Sequence, residues 1–232
     1  MHSESQYYTG EFAEYAAEDE RTSFITRVYI HLAAAVAAFI LIEATLFQTG
    51  AAISITEALL SGSWLIVLGA FMIVGMIADR MARSDTSPAV AYSGLALYVV
   101  AESIIICPLL MIASMRHEGI ILQAGLVTAG LFAALTTAVL VTRKDFSFLR
   151  TALYFGGIGA LVLIVVAAFT SLTLGFWFSV GMAVLMCGYI LYYTSNILHH
   201  YRTDQHVSAT LALFASLATL FWYILRIFMS RD

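Results

Sequence analysis

An all-α, polytopic membrane protein with seven transmembrane helices in one bundle is the fold class that this sequence predicts, on three observations. Hydrophobic residues make up 61% of the 232-residue chain and charged residues only 11%, with a mean hydropathy of +0.90, well outside the range of a soluble domain. The apolar residues fall into seven stretches, each close to the roughly 20 needed to cross a hydrocarbon core about 30 Å thick. The stretches are continuous and not alternating, which selects helices over a barrel, because lipid leaves each backbone group to be satisfied within its own segment.

The chain divides into an acidic tail (1–23), a transmembrane domain (24–229) and a short terminal piece (230–232). The tail, MHSESQYYTGEFAEYAAEDER, holds acids and aromatics without an apolar run. It therefore reads as a soluble or surface-lying extension, part-helical from Glu11 to Arg21, and not as a signal peptide. Span one (24–48) places Arg27 and His31 on one face at its start and Glu43 near its other end, where the carboxyl is expected to reach the interface. Span two (64–83) ends with Arg80 and with Asp79 and Arg83 at the spacing of a surface ion pair. Span three (89–114) follows Pro88, contains Pro108 near its end and carries Glu102 near its middle. Spans four (119–142) and five (147–170) are joined by the basic loop TRKDFSFLR, with Asp145 at the start of the fifth helix; spans six (175–198) and seven (207–229) complete the set. Cys107 and Cys187 lie in different spans and read as small packing residues, not as a disulfide.

Basic residues set the orientation, since Lys and Arg are retained in short cytoplasmic loops. Arg21, Arg27, Arg80, Arg83, Arg143, Lys144, Arg150 and Arg202 belong to the N-terminal side, and the opposite loops hold only Arg116. The expected topology is a cytoplasmic N-terminus and an outside C-terminus, in an inner (plasma) membrane.

Polar groups inside the spans are the candidates for function. An ionised acid at the depth of Glu102 costs roughly 2.5 kcal/mol or more, so it must be neutral, paired or hydrated, and such acids mark proton or cation sites. Glu102 is expected to face the bundle interior, as the ion site and as a weak metal candidate. Tyr189, Tyr192 or Tyr193, Asn196 and His199 or His200 repeat at helical spacing in span six, as do Ser216, Thr219, Tyr223 and Arg226 in span seven. These two stripes are expected to meet, either as hydrogen-bonding glue between helices or as a polar pathway.

Several chemistries lack their residues. The only lysine, Lys144, stands in a loop, which excludes a retinal Schiff base. His199, His200 and His206 cluster at one loop without an acid-rich surround, which disfavours a zinc hydrolase. No phosphate loop, nucleophile elbow or dinucleotide fingerprint is present, and nothing supports nucleic-acid binding. No cofactor and no enzymatic activity are expected.

RTSFITRVYIHLAAAVAAF opening span one, KDFSFL before span five, GYILYYTSNI closing span six and YILRIF closing span seven resemble the Bax inhibitor-1 family, over about residues 24 to 229 and in a bacterial branch. The resemblance implies six helices around a central seventh and a pH-sensitive calcium leak. It implies a sensor made of two proton-sharing aspartates, late in span six and in span seven, with an arginine from span two. In this sequence the aspartate positions hold Tyr193 and Ser216, and Arg80 is the best match for the arginine, with Arg83 as the alternative. A tyrosine and a serine do not share a titrating proton at ordinary pH, so they are expected to form a neutral hydrogen-bonded contact between the two helices. The expected activity is a cation leak for calcium or protons through Glu102, closed around Arg80, Tyr193, Asn196, Ser216 and Thr219. The alternative is a non-conducting regulator that binds another membrane protein through residues 1–21. Some bacterial relatives, by the same resemblance, modulate an ATP-dependent membrane protease.

Overall fold

The computed structural model describes residues 10–84, 87–116, 118–170 and 172–230. Eight helices follow one another: α1 (Glu18–Thr49), α2 (Ala51–Leu60), α3 (Trp64–Ala82), α4 (Pro88–Arg116), α5 (Ile120–Thr142), α6 (Leu149–Phe169), α7 (Phe176–His199) and α8 (His206–Met229). All but α2 are long and apolar enough to cross a membrane. The seven-span reading therefore holds, and α2 is an addition that a search for full-length spans passes over.

The ends of the helices follow from local chemistry. Glu18, Asp19 and Glu20 occupy the first turn of α1, where carboxylates favour the exposed N–H groups. Gly50, at φ 77°, closes α1 with its N–H on the Phe47 carbonyl, and the chain turns at once into α2. Pro88 opens α4 at a position whose N–H would have no helical partner. Pro108 lies inside the same helix and is buried there, a site where neighbouring helices keep out lipid.

Two helices form the interior. Of the most apolar 18-residue window in α4 and in α8, 56% is buried, against 22% or less in the other five spans. Helix α8 takes the central place, packed by α1, α3, α4, α5 and α7, while α6 rests on α7 at the periphery. Helices α3 and α4 approach closely because Gly94 has no side chain: a Cβ there would lie 2.6 Å from the Ala78 carbonyl oxygen and 2.7 Å from the Ala82 nitrogen.

Glu43 departs from expectation. It is buried, and neither carboxylate oxygen has a hydrogen-bond partner. The reason is α2, which folds back against α1 and α4 and covers the stretch of α1 that otherwise reaches the interface.

The Gly94 contact is with backbone, which cannot step aside. Gly94→Ala is expected to destabilise the bundle by about 1–3 kcal/mol. Gly159→Ala, where an added Cβ meets nothing, is expected to leave the melting temperature in detergent unchanged or slightly raised.

Candidate functional site

Glu102 sits at the midpoint of α4 and is 4% exposed. It faces the interior as expected: its Oε2 is buried without a hydrogen bond, and its carboxyl interacts with the phenol of Tyr98 one turn earlier. Glu102 also lines a cavity of about 560 Å³ bounded by α3, α4, α6, α8 and the start of α7. Trp64, Leu174, Trp222 and Arg226 mark its end nearest the far side of the bundle, and Phe71, Glu102 and Thr219 its mid-depth end. The seven-residue steps from Trp64 to Phe71 and from Arg226 to Thr219 each represent about 10 Å along a helix. Polar groups are sparse on its walls, with Thr219 and Tyr223 between the acid and the Arg226 guanidinium, which donates to the Leu174 carbonyl at 2.9 Å.

On the other side of Glu102, toward the N-terminal end, aromatic rings close the bundle. Tyr98 packs against Phe71 at 5.8 Å and edge-on to Phe214 at 6.2 Å, and Phe214 meets Phe39 of α1 at 6.3 Å. Edge-to-face rings at these separations interlock helices α1, α3, α4 and α8.

Beyond the rings lies a second polar group. Tyr193 interacts electrostatically with Tyr98, Tyr201 and Arg83, stacks on Tyr189 and meets the Tyr192 ring at a tilt. Arg83 bonds Asp79 at 2.8 Å, the expected ion pair, and is the arginine beside Tyr193 and Tyr201. Arg80 and Arg83 are both exposed, and Arg83 is the one with an electrostatic interaction with Tyr193. Burial pushes the Tyr201 phenol up to about 12, which keeps it neutral next to Arg83.

The expected hydrogen bond between Tyr193 and Ser216 is absent among the described residues. The Ser216 hydroxyl donates to Ala212 of its own helix at 2.9 Å, and Thr219 likewise donates to Ala215 at 2.8 Å. In an apolar surrounding a hydroxyl is most simply satisfied by the carbonyl one turn back, and this removes the donor expected to reach across. The two polar stripes thus diverge. Tyr189 turns to α6 and donates to the Leu153 carbonyl at 3.0 Å, whereas Thr219, Tyr223 and Arg226 face the cavity. Asn196 is buried, and its backbone carbonyl accepts from both His200 and Tyr201 where α7 ends.

The N-terminal segment covers this end. Ala13 donates to the Tyr201 carbonyl, Thr203 to that of Glu11, and the Thr203 hydroxyl to Glu20 at 2.6 Å. Ser195, Asp145 and His200 also gather here, but not as a nucleophile and base. Ser195 is fully buried, and its hydroxyl accepts from the Phe146 N–H and lies 3.4 Å from Asp145, while His200 meets Asp145 at 3.5 Å. Together they clasp the α5–α6 loop to α7.

The arrangement defines a polytopic helical membrane protein with a buried acid at the end of a cavity and a closed opposite end. The chain belongs to the family described as Inhibitor of apoptosis-promoting Bax1, whose profile matches residues 21–232. It is similar to Bax inhibitor 1 of Schizosaccharomyces pombe, 29% identical over 169 residues, which cover 71% of this chain and 61% of that protein. It is also similar to Protein lifeguard 4 of Mus musculus, 26% identical over 170 residues, covering 70% and 67% respectively. A BI1-like protein of Arabidopsis thaliana is 32% identical over 131 residues, 51% of this chain and 48% of that one. The match thus spans about half to two thirds of the length of these relatives.

The Asp145 clasp carries a pH dependence. The Ser147 backbone N–H, with a smaller contribution from His200, holds its carboxyl below the usual 3.8. A depressed carboxyl stabilises the fold above its ordinary value and loses that contribution as pH falls through the folded one. Asp145→Ala is expected to lower the melting temperature at neutral pH, with the difference from the parent shrinking as the pH drops below 3.8.

Proposed function

We propose that this protein is a passive cation leak, for protons or calcium, in which Glu102 is the mid-membrane ion site and the rings of Phe71, Tyr98 and Phe214 are the barrier. One observation carries the reading. A cavity about 10 Å deep by helical rise ends on a buried carboxyl with an unpartnered oxygen, and the next layer of the bundle is aromatic. Intramembrane acids that face a cavity are expensive to keep and are retained where an ion is handled. With the basic residues cytoplasmic, in an inner membrane, the cavity opens outward and the barrier faces the cytoplasm. A dication at Glu102 would have one carboxylate with hydroxyls around it, which gives weak holding and suits passage over storage. The replacement of both aspartates by Tyr193 and Ser216 removes the proton-sharing pair, so this leak lacks the steep titration that such a pair confers.

Exposed Phe12 and Tyr15 on the segment bound to the α7–α8 loop favour a second reading, in which a membrane-protein partner docks on the tail. The rest of that surface, residues 1–9, lies outside the described residues. Deletion of residues 1–16 separates the readings. A non-conducting regulator loses co-purification of its partner and shows no ion flux with or without the tail, whereas the leak reading keeps a flux that depends on Glu102.

Flux in proteoliposomes is the direct measurement. Glu102→Gln, which keeps the shape and removes the charge, is expected to reduce calcium or proton flux at least tenfold. Glu43→Gln, at the other buried acid and away from the cavity lining, is expected to leave it unchanged. Equal flux from the parent and Glu102→Gln overturns the assignment.

A further inference from the structure

At the N-terminal end of the bundle, on the α1, α4 and α8 side, three side chains distant in sequence converge on one point. The Tyr92 phenol oxygen lies 3.1 Å from Nε2 of His31 and 2.9 Å from Nε2 of His206, and the two imidazole centroids are 5.2 Å apart. His31 Nδ1 is 2.7 Å from the Arg27 carbonyl, an oxygen that only accepts, so this nitrogen carries the proton and Nε2 presents a lone pair.

His206 then has no tautomer that satisfies the group. With its proton on Nε2, which donates to Tyr92, its Nδ1 is a buried lone pair without a partner. With its proton on Nδ1, beside the Asp204 backbone, two Nε2 lone pairs face a phenol that has a single proton to offer. Either way one imidazole lone pair in the cluster is left without a proton or a cation.

We propose that His31, His206 and Tyr92 form a binding site for a divalent transition-metal ion of the zinc type. Imidazole nitrogen is a favoured ligand of such ions, and metal-bound histidines ordinarily donate their other N–H to a backbone carbonyl, as His31 already does. Bonds of about 2.0–2.1 Å to a tetrahedral ion separate its ligands by about 3.3 Å. The observed 2.9 and 3.1 Å therefore widen by only a few tenths of an ångström on binding. Phenol ionisation on binding releases one proton, and the fourth position is left to water. Tyr92 is 39% exposed, which gives the ion a route in. Among the described residues no three His, Cys, Asp or Glu side chains are placed to hold a metal ion by themselves, and the phenol is what completes this set. The charges around it are Arg27, which opposes a cation, and Asp204, which favours one. Occupancy ties α1, α4 and α8 together at this end.

The test is calorimetric titration of the purified, chelator-treated full chain with zinc, and with cobalt as a spectroscopic reporter of tetrahedral geometry. One ion per chain is expected, with a raised melting temperature, since an ion that binds only the folded form stabilises it. His31→Gln and His206→Gln each weaken binding at least tenfold, Tyr92→Phe removes the phenolate contribution to the cobalt spectrum, and His199→Gln with His200→Gln retains full affinity. Thermal melts of the apo variants establish that they are folded. Absence of stoichiometric uptake, binding that follows His199 and His200 instead, or stabilisation by acid alone without metal overturns the proposal.

Discussion

A carboxyl in the middle of a bilayer has nowhere to shed its polarity, and the architecture around Glu102 follows from that constraint. It occupies one of the two most buried helices, Tyr98 and Thr219 bring hydroxyl groups to it and to its cavity, and that cavity reaches it from the end marked by Trp64 and Arg226. Elsewhere in the spans the same pressure produces economical solutions. Ser103, Thr128, Ser216 and Thr219 all donate to the carbonyl one turn back along their own helices. Such back-bonding satisfies a hydroxyl without recruiting a partner helix, so polar residues at helical spacing do not by themselves predict an interhelical contact. An acid has no comparable local solution, and Glu102 and Glu43 are the buried side chains with a bare carboxylate oxygen among the described residues.

What was legible in the sequence divides along the same line. Hydropathy places seven helices because a bilayer imposes a length and a continuous apolar character, and both are visible residue by residue. It passes over α2, whose ten residues fall below that length, and with it the burial of Glu43. The inward direction of Glu102 follows from its cost in lipid, with no need for coordinates. Which of Arg80 and Arg83 lies beside Tyr193 depends on the azimuth of the last turn of α3, which local sequence does not encode. The convergence of His31, Tyr92 and His206 is hidden for another reason: the three belong to helices separated by long stretches of chain. A shared depth at the N-terminal end was the only signal available, and it does not specify azimuth.

The end opposite the cavity is built from loops as much as from helices. Residues 11–13 pair with 201–203, the α5–α6 loop is fixed to Ser195, and Tyr201 and Tyr193 lie beside the Arg83–Asp79 pair. Contacts of this kind are made of backbone hydrogen bonds and partly exposed ion pairs, individually weak and dependent on one another's geometry. They complement the aromatic layer below them, which supplies area and shape but no directional bonds. The bundle is therefore held shut by two unlike mechanisms stacked along its axis, one of which responds to water and salt and one of which does not.

Helix α1 has 32 residues, a rod about 48 Å long at the helical rise, against a hydrocarbon thickness of about 30 Å. The excess is not absorbed by further apolar sequence, because its first turn is acidic and its last residues lead directly into α2. Hydrophobic mismatch of this size is accommodated by tilt or by protrusion, and the charged first turn favours protrusion. The N-terminal segment is thus tied to one end of a rod longer than the hydrocarbon core, and a change in bilayer thickness alters how much of that rod lies among the headgroups.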